Sequence, residues 1–143
     1  MATTNLIPLH VGKDGSIINA LRRTIGYVEN PEKTEKGRLV SSYKCVPRTA
    51  AEEFALDRRR YSVRSGRGLR KNDVIAYHMR QSFKPGEITP EEANRLGYEL
   101  AMRFTKGNHA FVVTTHTDKK HIHNHIICAP IGGRVNPLSK RQV

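Results

Sequence analysis

The feature that most constrains this chain is a group of histidines set between two short apolar runs. Four of the seven histidines fall within residues 116–125. Residues 110–115 (AFVVTT) are β-branched and aromatic, a composition typical of a strand. Residues 121–127 alternate histidine with other side chains, and a strand places every second side chain on one face. Residues 117–120 have the length of a hairpin loop, so we predict an antiparallel pair.

This hairpin predicts a metal site. Pairing His116 with His121, and Thr114 with His123, places four imidazoles on one face, and these belong to His116, His121, His123 and His125. Cross-strand Cβ atoms lie about 5 Å apart and diagonal ones about 7–8 Å apart, so several rings can reach one ion. Neutral imidazole is the commonest metal ligand, and three protein ligands with an open position suit a catalytic ion. A solvated patch of histidines is the alternative interpretation.

Asp118 follows His116 by two residues and is the candidate carboxylate beside these ligands. A carboxylate that accepts a hydrogen bond from a ligating imidazole orients the ring. An aspartate in a hairpin loop also bonds its own backbone. The spacing leaves both roles open.

The charge balance indicates a polyanionic partner. The 143 residues include 25 Lys and Arg against 13 Asp and Glu, a formal net charge of +12. Nucleic acid is the first candidate partner and an anionic membrane the second. No apolar run approaches about 18 residues and no signal-peptide core is present, so we expect no membrane insertion or secretion. Two cysteines without metal spacing fit reduced thiols in a cytoplasm.

A basic stretch in the middle of the chain is the candidate DNA-binding surface. Half of the residues from 58 to 71 are basic. Cations of this kind hold a nucleic-acid backbone without reading its sequence, although a solvated charged face is the alternative. The predicted DNA contacts are Arg22 and Arg23 in the first helix and, in the basic stretch, Arg58, Arg59, Arg60, Arg64, Arg67, Arg70 and Lys71.

Strand and helix signals alternate before the hairpin. We predict strands near residues 6–11, 38–45 and 74–80, with Pro8 marking an edge strand. Since the last two strands form a hairpin, we expect an α+β fold with an antiparallel or mixed sheet. We further expect the helices on one face of this sheet and the histidines on the other, open face.

Three helices are predicted, over residues 16–29, 49–61 and 89–106. Each begins at a serine or threonine suited to an N-cap, and the last two have a glutamate three residues later, which is typical of a capping box. The apolar stripe of the third helix is predicted at Ala93, Leu96, Leu100 and Phe104.

A metal ion on a basic surface suggests phosphate-ester chemistry, because the ion polarises a phosphoryl oxygen and offsets charge in the transition state. The attacking group is then a water on the ion or a side chain that forms a covalent intermediate. Spacing does not choose among the five tyrosines, which are Tyr27, Tyr43, Tyr61, Tyr77 and Tyr98.

Three segments together resemble known motifs. The H-x-D and H-x-H patterns of residues 116–125 resemble the third motif of conjugative relaxases, the mobilization proteins of the HUH endonuclease superfamily. Residues 27–34 (YVENPEKT) resemble their first motif, and residues 76–87 (AYHMRQSFKPGE) their central strand and turn. The chain is therefore similar to P-type relaxases of mobile elements in Gram-positive bacteria. This resemblance implies a five-stranded antiparallel sheet with flanking helices, and one nuclease domain over residues 1–143, truncated at its C-terminus.

The resemblance also implies an activity, metal-dependent nicking of one DNA strand at an origin of transfer, which initiates conjugative transfer or mobilization. Tyr27 is then the nucleophile, and the products are a 5′-phosphotyrosyl adduct and a free 3′-hydroxyl. The implied ligands are His116, His123 and His125, with His121 as an extra ligand or an orienting neighbour. Manganese and magnesium are the ions favoured by the family, and three imidazoles also accept zinc, cobalt or nickel.

The implied partners are single-stranded or supercoiled DNA at the transfer origin, relaxosome accessory proteins and a coupling protein. Some relaxases use a histidine as nucleophile, and His10 is the candidate for that role here. His78 and His109 have no motif support and are interpreted as structural or DNA-adjacent. Two other functions stay open: a rolling-circle replication initiator of the same superfamily, and a non-catalytic DNA-binding module whose structural zinc site His121 completes.

Overall fold

Five strands form one antiparallel sheet and three helices pack against it in the computed structural model of this chain, which describes residues 3–68 and 73–129. The strand order is β1-β3-β5-β4-β2. This confirms the predicted α+β class, the antiparallel sheet and the edge position of the first strand. The elements are β1 (Thr3–Leu9), α1 (Ile17–Val28), β2 (Val40–Tyr43), α2 (Ala50–Ser65), β3 (Ala76–Ser82), α3 (Pro90–Thr105), β4 (Phe111–His116) and β5 (His123–Cys128).

The β4–β5 hairpin has a different register from the predicted one. His116 pairs with His123 rather than with His121, and β5 begins at His123. The observed register sets Val112 opposite Ile127, whereas the predicted register sets that valine opposite an imidazole. Matching of apolar side chains therefore selects the register. A shift of two residues does not change which face a side chain occupies, so the strand histidines still share one face.

Helices cover both faces of the sheet, so the expectation of helices on one face and an open histidine face is wrong. On the histidine face, α1 and α2 pack over Val112 and Ile127. On the other face, α3 packs against the neighbouring residues Val113 and Ile126. All six residues of β4 and all six of β5 are buried. Two central strands that carry apolar side chains on both faces need a helical layer on each.

The third helix approaches the sheet most closely through small residues, and Ala93 is the one residue of the predicted stripe that is fully buried. A Cβ added at Gly97 would lie 2.7 Å from Asn124 Nδ2 and 2.9 Å from Val113 Cγ1, so the helix backbone lies very close to the strands. Larger side chains at this contact would hold the helix away. The contact residues are Ala93, Gly97, Ala101 and Thr105, whereas Leu96, Leu100 and Phe104 are only half-buried beside them.

The helix ends follow the predicted capping residues in two of three cases. The Ser16 side chain accepts from the backbone N–H of Asn19, and Thr89 accepts from that of Glu92. Thr49 makes no such bond; its hydroxyl instead donates to Glu53 Oε2 at 2.9 Å. None of the helices in the described ranges is long and apolar enough to cross a membrane.

Candidate metal centre and active site

Three histidines converge where β4 ends and β5 begins. His116, His123 and His125 each offer a ring nitrogen, and the three nitrogens lie within 4.8 Å of one another. All three residues are buried. The register explains this convergence, because His123 lies directly opposite His116 and His125 lies on the diagonal. The described residues therefore contain a three-imidazole cluster that can hold a metal ion.

The hydrogen bonds of two of these rings leave one nitrogen of each unused. His116 Nε2 lies 2.8 Å from the carbonyl oxygen of Val28, and His123 Nδ1 lies 3.1 Å from that of His121. A carbonyl only accepts, so these two nitrogens carry the ring protons. His116 Nδ1 is buried and has no hydrogen-bond partner among the described residues. Burying such an atom unpaired costs about 1–3 kcal/mol, and a bound cation removes that cost. The rings therefore fit a metal ion.

The electrostatics of the cluster keep these rings neutral. Burial lowers the pKa of His116 and His123, and it lowers the pKa of His125 to about 2, with the charges of neighbouring imidazoles adding to the effect there. Neutral imidazole is the form that binds a metal.

Tyr27 lies beside the cluster, in the last turn of α1. Its ring centroid is 6.1 Å from that of His116 and 6.3 Å from that of His125, and the residue is 56% exposed. The next residue, Val28, is buried and supplies the carbonyl that orients His116. The end of α1 therefore presents an accessible phenol next to the imidazoles. Tyr43, Tyr77 and Tyr98 pack on the α3 side of the sheet.

Two charged residues join Tyr27 at the rim of the cluster. Lys33 Nζ lies 2.9 Å from Asp118 Oδ2 and 5.5 Å from the centroid of the Tyr27 ring. The hydrogen bond to Lys33 lowers the pKa of Asp118, and the same bond raises the pKa of Lys33. Asp118 thus pairs with an ammonium group, and its orienting role beside the imidazoles stays a prediction. Sequence reasoning missed Lys33, although it lies in the same motif segment as Tyr27.

Two residues of β3, His78 and Arg80, also face the cluster; the sequence analysis interpreted His78 as structural or DNA-adjacent and gave Arg80 no role. His78 Nε2 lies 2.7 Å from His125 Nδ1. Arg80 is exposed and pairs with His125 across the sheet, so its side chain emerges on the same face. The two-residue alternation of β3 places both on one face, but no local signal indicates that β3 pairs with β5.

The other candidate histidines lie outside the cluster. His121 is an exposed loop residue whose ring approaches the carbonyl of Phe83, and only its backbone carbonyl reaches His123. His10 follows the end of β1 and bonds the carbonyl of Asp73. That end of the sheet is about 20 Å from the cluster, at about 3.3 Å per strand residue. The structure therefore does not bring His10 to the imidazoles.

The predicted DNA contacts divide into several groups. Arg58 is buried, pairs with Asp73 at 3.2 Å and covers the Tyr61 ring, so it belongs to the protein interior rather than to an exposed surface. Its contact with Asp73, which precedes β3, places this part of α2 at the end of the sheet away from the cluster. Arg22 is exposed and pairs with Glu52. The remaining exposed candidates are Arg23, Arg59, Arg60, Arg64 and Arg67, and Arg70 and Lys71 lie outside the described residues.

Comparisons with known proteins show the family to which this chain belongs. The family model described as "Relaxase: MobA/VirD2-like, nuclease domain" matches residues 27–137. The chain is 34% identical to the group II intron-interrupted relaxase LtrB of Lactococcus lactis, over 71% of this chain and 21% of that protein. It is 39% identical to a protein rlx of Staphylococcus aureus, over 73% of this chain and 29% of that protein. The chain thus spans less than a third of the length of these two relatives. As the three motif segments predicted, this chain belongs to the MobA/VirD2-like relaxase nuclease domain family.

Proposed function

We propose that this chain nicks one DNA strand at an origin of transfer by tyrosine transesterification and so initiates conjugative transfer or mobilization. The observation that carries the proposal is the position of Tyr27, exposed and with its ring centroid 6.1 Å from that of His116. Membership of the relaxase nuclease family supplies DNA as the substrate class. Relaxosome accessory proteins and a coupling protein are the partners that follow from this role.

The proposed reaction exchanges one phosphodiester for another. The Tyr27 hydroxyl oxygen attacks the scissile phosphorus and loses its proton to solvent. A bond forms between that oxygen and phosphorus while the bond from phosphorus to the 3′-oxygen breaks. The 3′-oxygen takes up a proton, and the products are a 5′-phosphotyrosyl adduct and a 3′-hydroxyl. The reverse reaction rejoins the strand, so no nucleotide cofactor is needed.

The proposed cofactor is a divalent ion, Mn²⁺ or Mg²⁺, held by His116, His123 and His125. When bound, it supplies positive charge to a phosphoryl oxygen. Three buried imidazoles also accept Zn²⁺, Co²⁺ or Ni²⁺. The exposed loop position of His121 supports three protein ligands with an open position, which suits a catalytic ion better than a closed structural site.

Lys33 and Asp118 have a proposed role in preparing the nucleophile. A phenol is a weak nucleophile until it loses its proton. The Lys33 ammonium, 5.5 Å from the centroid of the Tyr27 ring, places positive charge beside the phenol, where it stabilises the negative charge of the reacting phosphate. Asp118 positions that ammonium through their ion pair. Together with Arg80, Lys33 places a cation on each side of the cluster for the DNA backbone.

Formation of a covalent adduct tests this proposal. The protein is incubated with Mn²⁺ and transfer-origin DNA, single-stranded or supercoiled, and the products are separated under denaturing conditions. We expect an adduct that survives the denaturant with the native protein and none with Tyr27→Phe. Tyr61→Phe is the matched control, because its ring lies under Arg58 on α2, and it should form the adduct normally. An adduct with Tyr27→Phe would contradict the assigned nucleophile, and none with the native protein would support a binding module.

A further inference from the structure

His78 has no role in the proposed reaction, yet its ring contacts His125, a member of the three-imidazole cluster. Its Nε2 lies 2.7 Å from His125 Nδ1, and the two ring centroids are 5.0 Å apart. His78 pairs with Ile127 across the sheet, so it reaches His125 along the diagonal. The two rings lie on neighbouring strands of the same sheet, and their relative position is set by the register of the sheet.

The contact constrains the proton of each ring. A hydrogen bond between two imidazole nitrogens needs one donor and one acceptor. If His125 binds an ion as a neutral ring through Nε2, its proton lies on Nδ1, and that nitrogen donates to His78. His78 Nε2 is then the acceptor, and the proton of His78 lies on its Nδ1.

We propose that His78 is a positioning residue of the metal centre, which accepts a hydrogen bond from His125 Nδ1 and holds His125 with Nε2 directed at the ion. This inference rests on the proposed metal-dependent function. The second ring nitrogen of a metal-ligating histidine is usually bonded in this way, because that bond fixes both tautomer and orientation.

The location of His125 explains why a side chain, rather than a backbone carbonyl, accepts the hydrogen bond from its Nδ1. His116 and His123 are oriented by backbone carbonyls, those of Val28 and His121. The ring of His125 faces β3, which pairs with β1 on one side and β5 on the other. The carbonyls of β3 therefore bond within the sheet, and a side-chain acceptor is needed.

All three acceptors are neutral, and this has a chemical consequence. A carboxylate acceptor makes a ligating imidazole more basic and places negative charge near the ion. Two carbonyls and one imidazole add no such charge, so the positive charge of the ion remains available to an anionic phosphate. The substrate class that this arrangement suits is a phosphodiester.

Two variants test the role of His78. His78→Leu removes the acceptor, and His78→Gln restores one through its amide oxygen. Mn²⁺ affinity is measured by calorimetry, and the tautomer of His125 in the metal-free protein by ¹⁵N NMR of the imidazole rings. We expect about 10- to 100-fold weaker Mn²⁺ binding and loss of the Nδ1–H tautomer in His78→Leu, with both largely restored in His78→Gln.

Equal Mn²⁺ affinity and an unchanged His125 tautomer in His78→Leu would overturn the inference. If His78→Leu does not fold, His78→Asn replaces it, because the shorter amide does not reach His125. These measurements do not use DNA, so their outcome is separate from that of the adduct test. Weakened Mn²⁺ binding together with an adduct in Tyr27→Phe would leave the inference standing and overturn the assigned nucleophile.

Discussion

The two faces of the β4–β5 hairpin differ in how completely their buried polar side chains are hydrogen-bonded. On the α3 face, the amide nitrogen of Asn124 donates to Ala93 O at 2.7 Å and to Gln81 Oε1 at 2.9 Å. Its oxygen accepts from Thr115 Oγ1 at 2.6 Å. On the histidine face, Nδ1 of the buried His116 has no hydrogen-bond partner among the described residues.

This difference separates a structural network from a candidate functional site. A fully bonded buried network rigidifies the strands that carry it. Asn124 lies between His123 and His125 in sequence. The network on the α3 face therefore holds in place the strand that carries both imidazoles on its other face. A buried nitrogen without a protein partner is rare in a folded protein, and in a cluster of three imidazoles it fits a metal ligand.

Removing a ligand on the histidine face should have the largest effect. In His125→Ala, we expect Mn²⁺ affinity to fall by more than about 100-fold and the covalent adduct to disappear, because two imidazoles remain where three converged. Calorimetry and the denaturing adduct assay measure these effects. His10→Ala, at the far end of the sheet, is the control and should match the native protein. Unchanged Mn²⁺ binding in His125→Ala would show that His125 is not a metal ligand and would contradict a metal site on the histidine face.

Breaking the network on the α3 face should instead lower stability. Asn124→Ala removes the acceptor of the Thr115 hydroxyl and the donor to Ala93 O and Gln81 Oε1, and we expect the free energy of unfolding to fall by about 2–4 kcal/mol. Urea unfolding measures this change. Asn5→Ala, at an exposed position on the edge strand β1, should change stability by less than about 0.5 kcal/mol. Equal stability of the two variants would show that the network is not structural.

Two helical glycines test the close approach of α3. Gly97→Ala places a Cβ 2.7 Å from Asn124 Nδ2, and we expect a loss of about 1–3 kcal/mol in unfolding free energy through overpacking. In Gly26→Ala, the added Cβ on α1 has no neighbouring atom within 4 Å. This variant should therefore stabilise the protein by about 0.5–1 kcal/mol through helix propensity. Thermal unfolding of both variants measures the contrast, and a stabilised Gly97→Ala would contradict it.

Glu29 tests whether an unpaired buried atom must mark a binding site. Its Oε2 is buried without a hydrogen-bond partner among the described residues, and burial, aided by the charge of Glu52, raises its pKa from 4.5 to about 7. Because the folded pKa exceeds the unfolded one, the ionised form costs stability. The cost is absent below about pH 4.5, grows as the pH rises and is complete above about pH 7.

Glu29→Gln should remove this cost. We expect the variant to be more stable than the native protein by about 1–2 kcal/mol at pH 8, with little difference at pH 4. Urea unfolding at the two pH values measures it, with Glu32→Gln, an exposed position, as the control. A gain that is equal at both pH values would not come from ionisation. If Glu29→Gln also leaves Mn²⁺ binding unchanged, then Glu29 Oε2 is not a metal ligand, and His116 Nδ1 is the one of these two unpaired atoms that is linked to metal binding.

The sequence alone determined the face of the metal cluster but not its membership. Alternation in β5 places His123 and His125 on one side, and this survives the two-residue error in register because the strand period is two. The same error placed His121 within the strand, although it lies in the loop. The resemblance to relaxases, rather than spacing, separated the three converging histidines from His121 and singled out Tyr27 among five tyrosines.

Tertiary structure alone decided what surrounds the cluster. The carbonyl of Val28 reaches His116 from α1, Lys33 reaches Asp118 from the following loop, and His78 reaches His125 from β3. Each contact joins segments that are distant in the chain, and local periodicity carries no information about which segments meet. Local sequence patterns also could not predict that helices pack on both faces of the sheet or that Arg58 is buried. Both features depend on contacts between elements that are distant in the chain, and only the folded structure specifies those contacts.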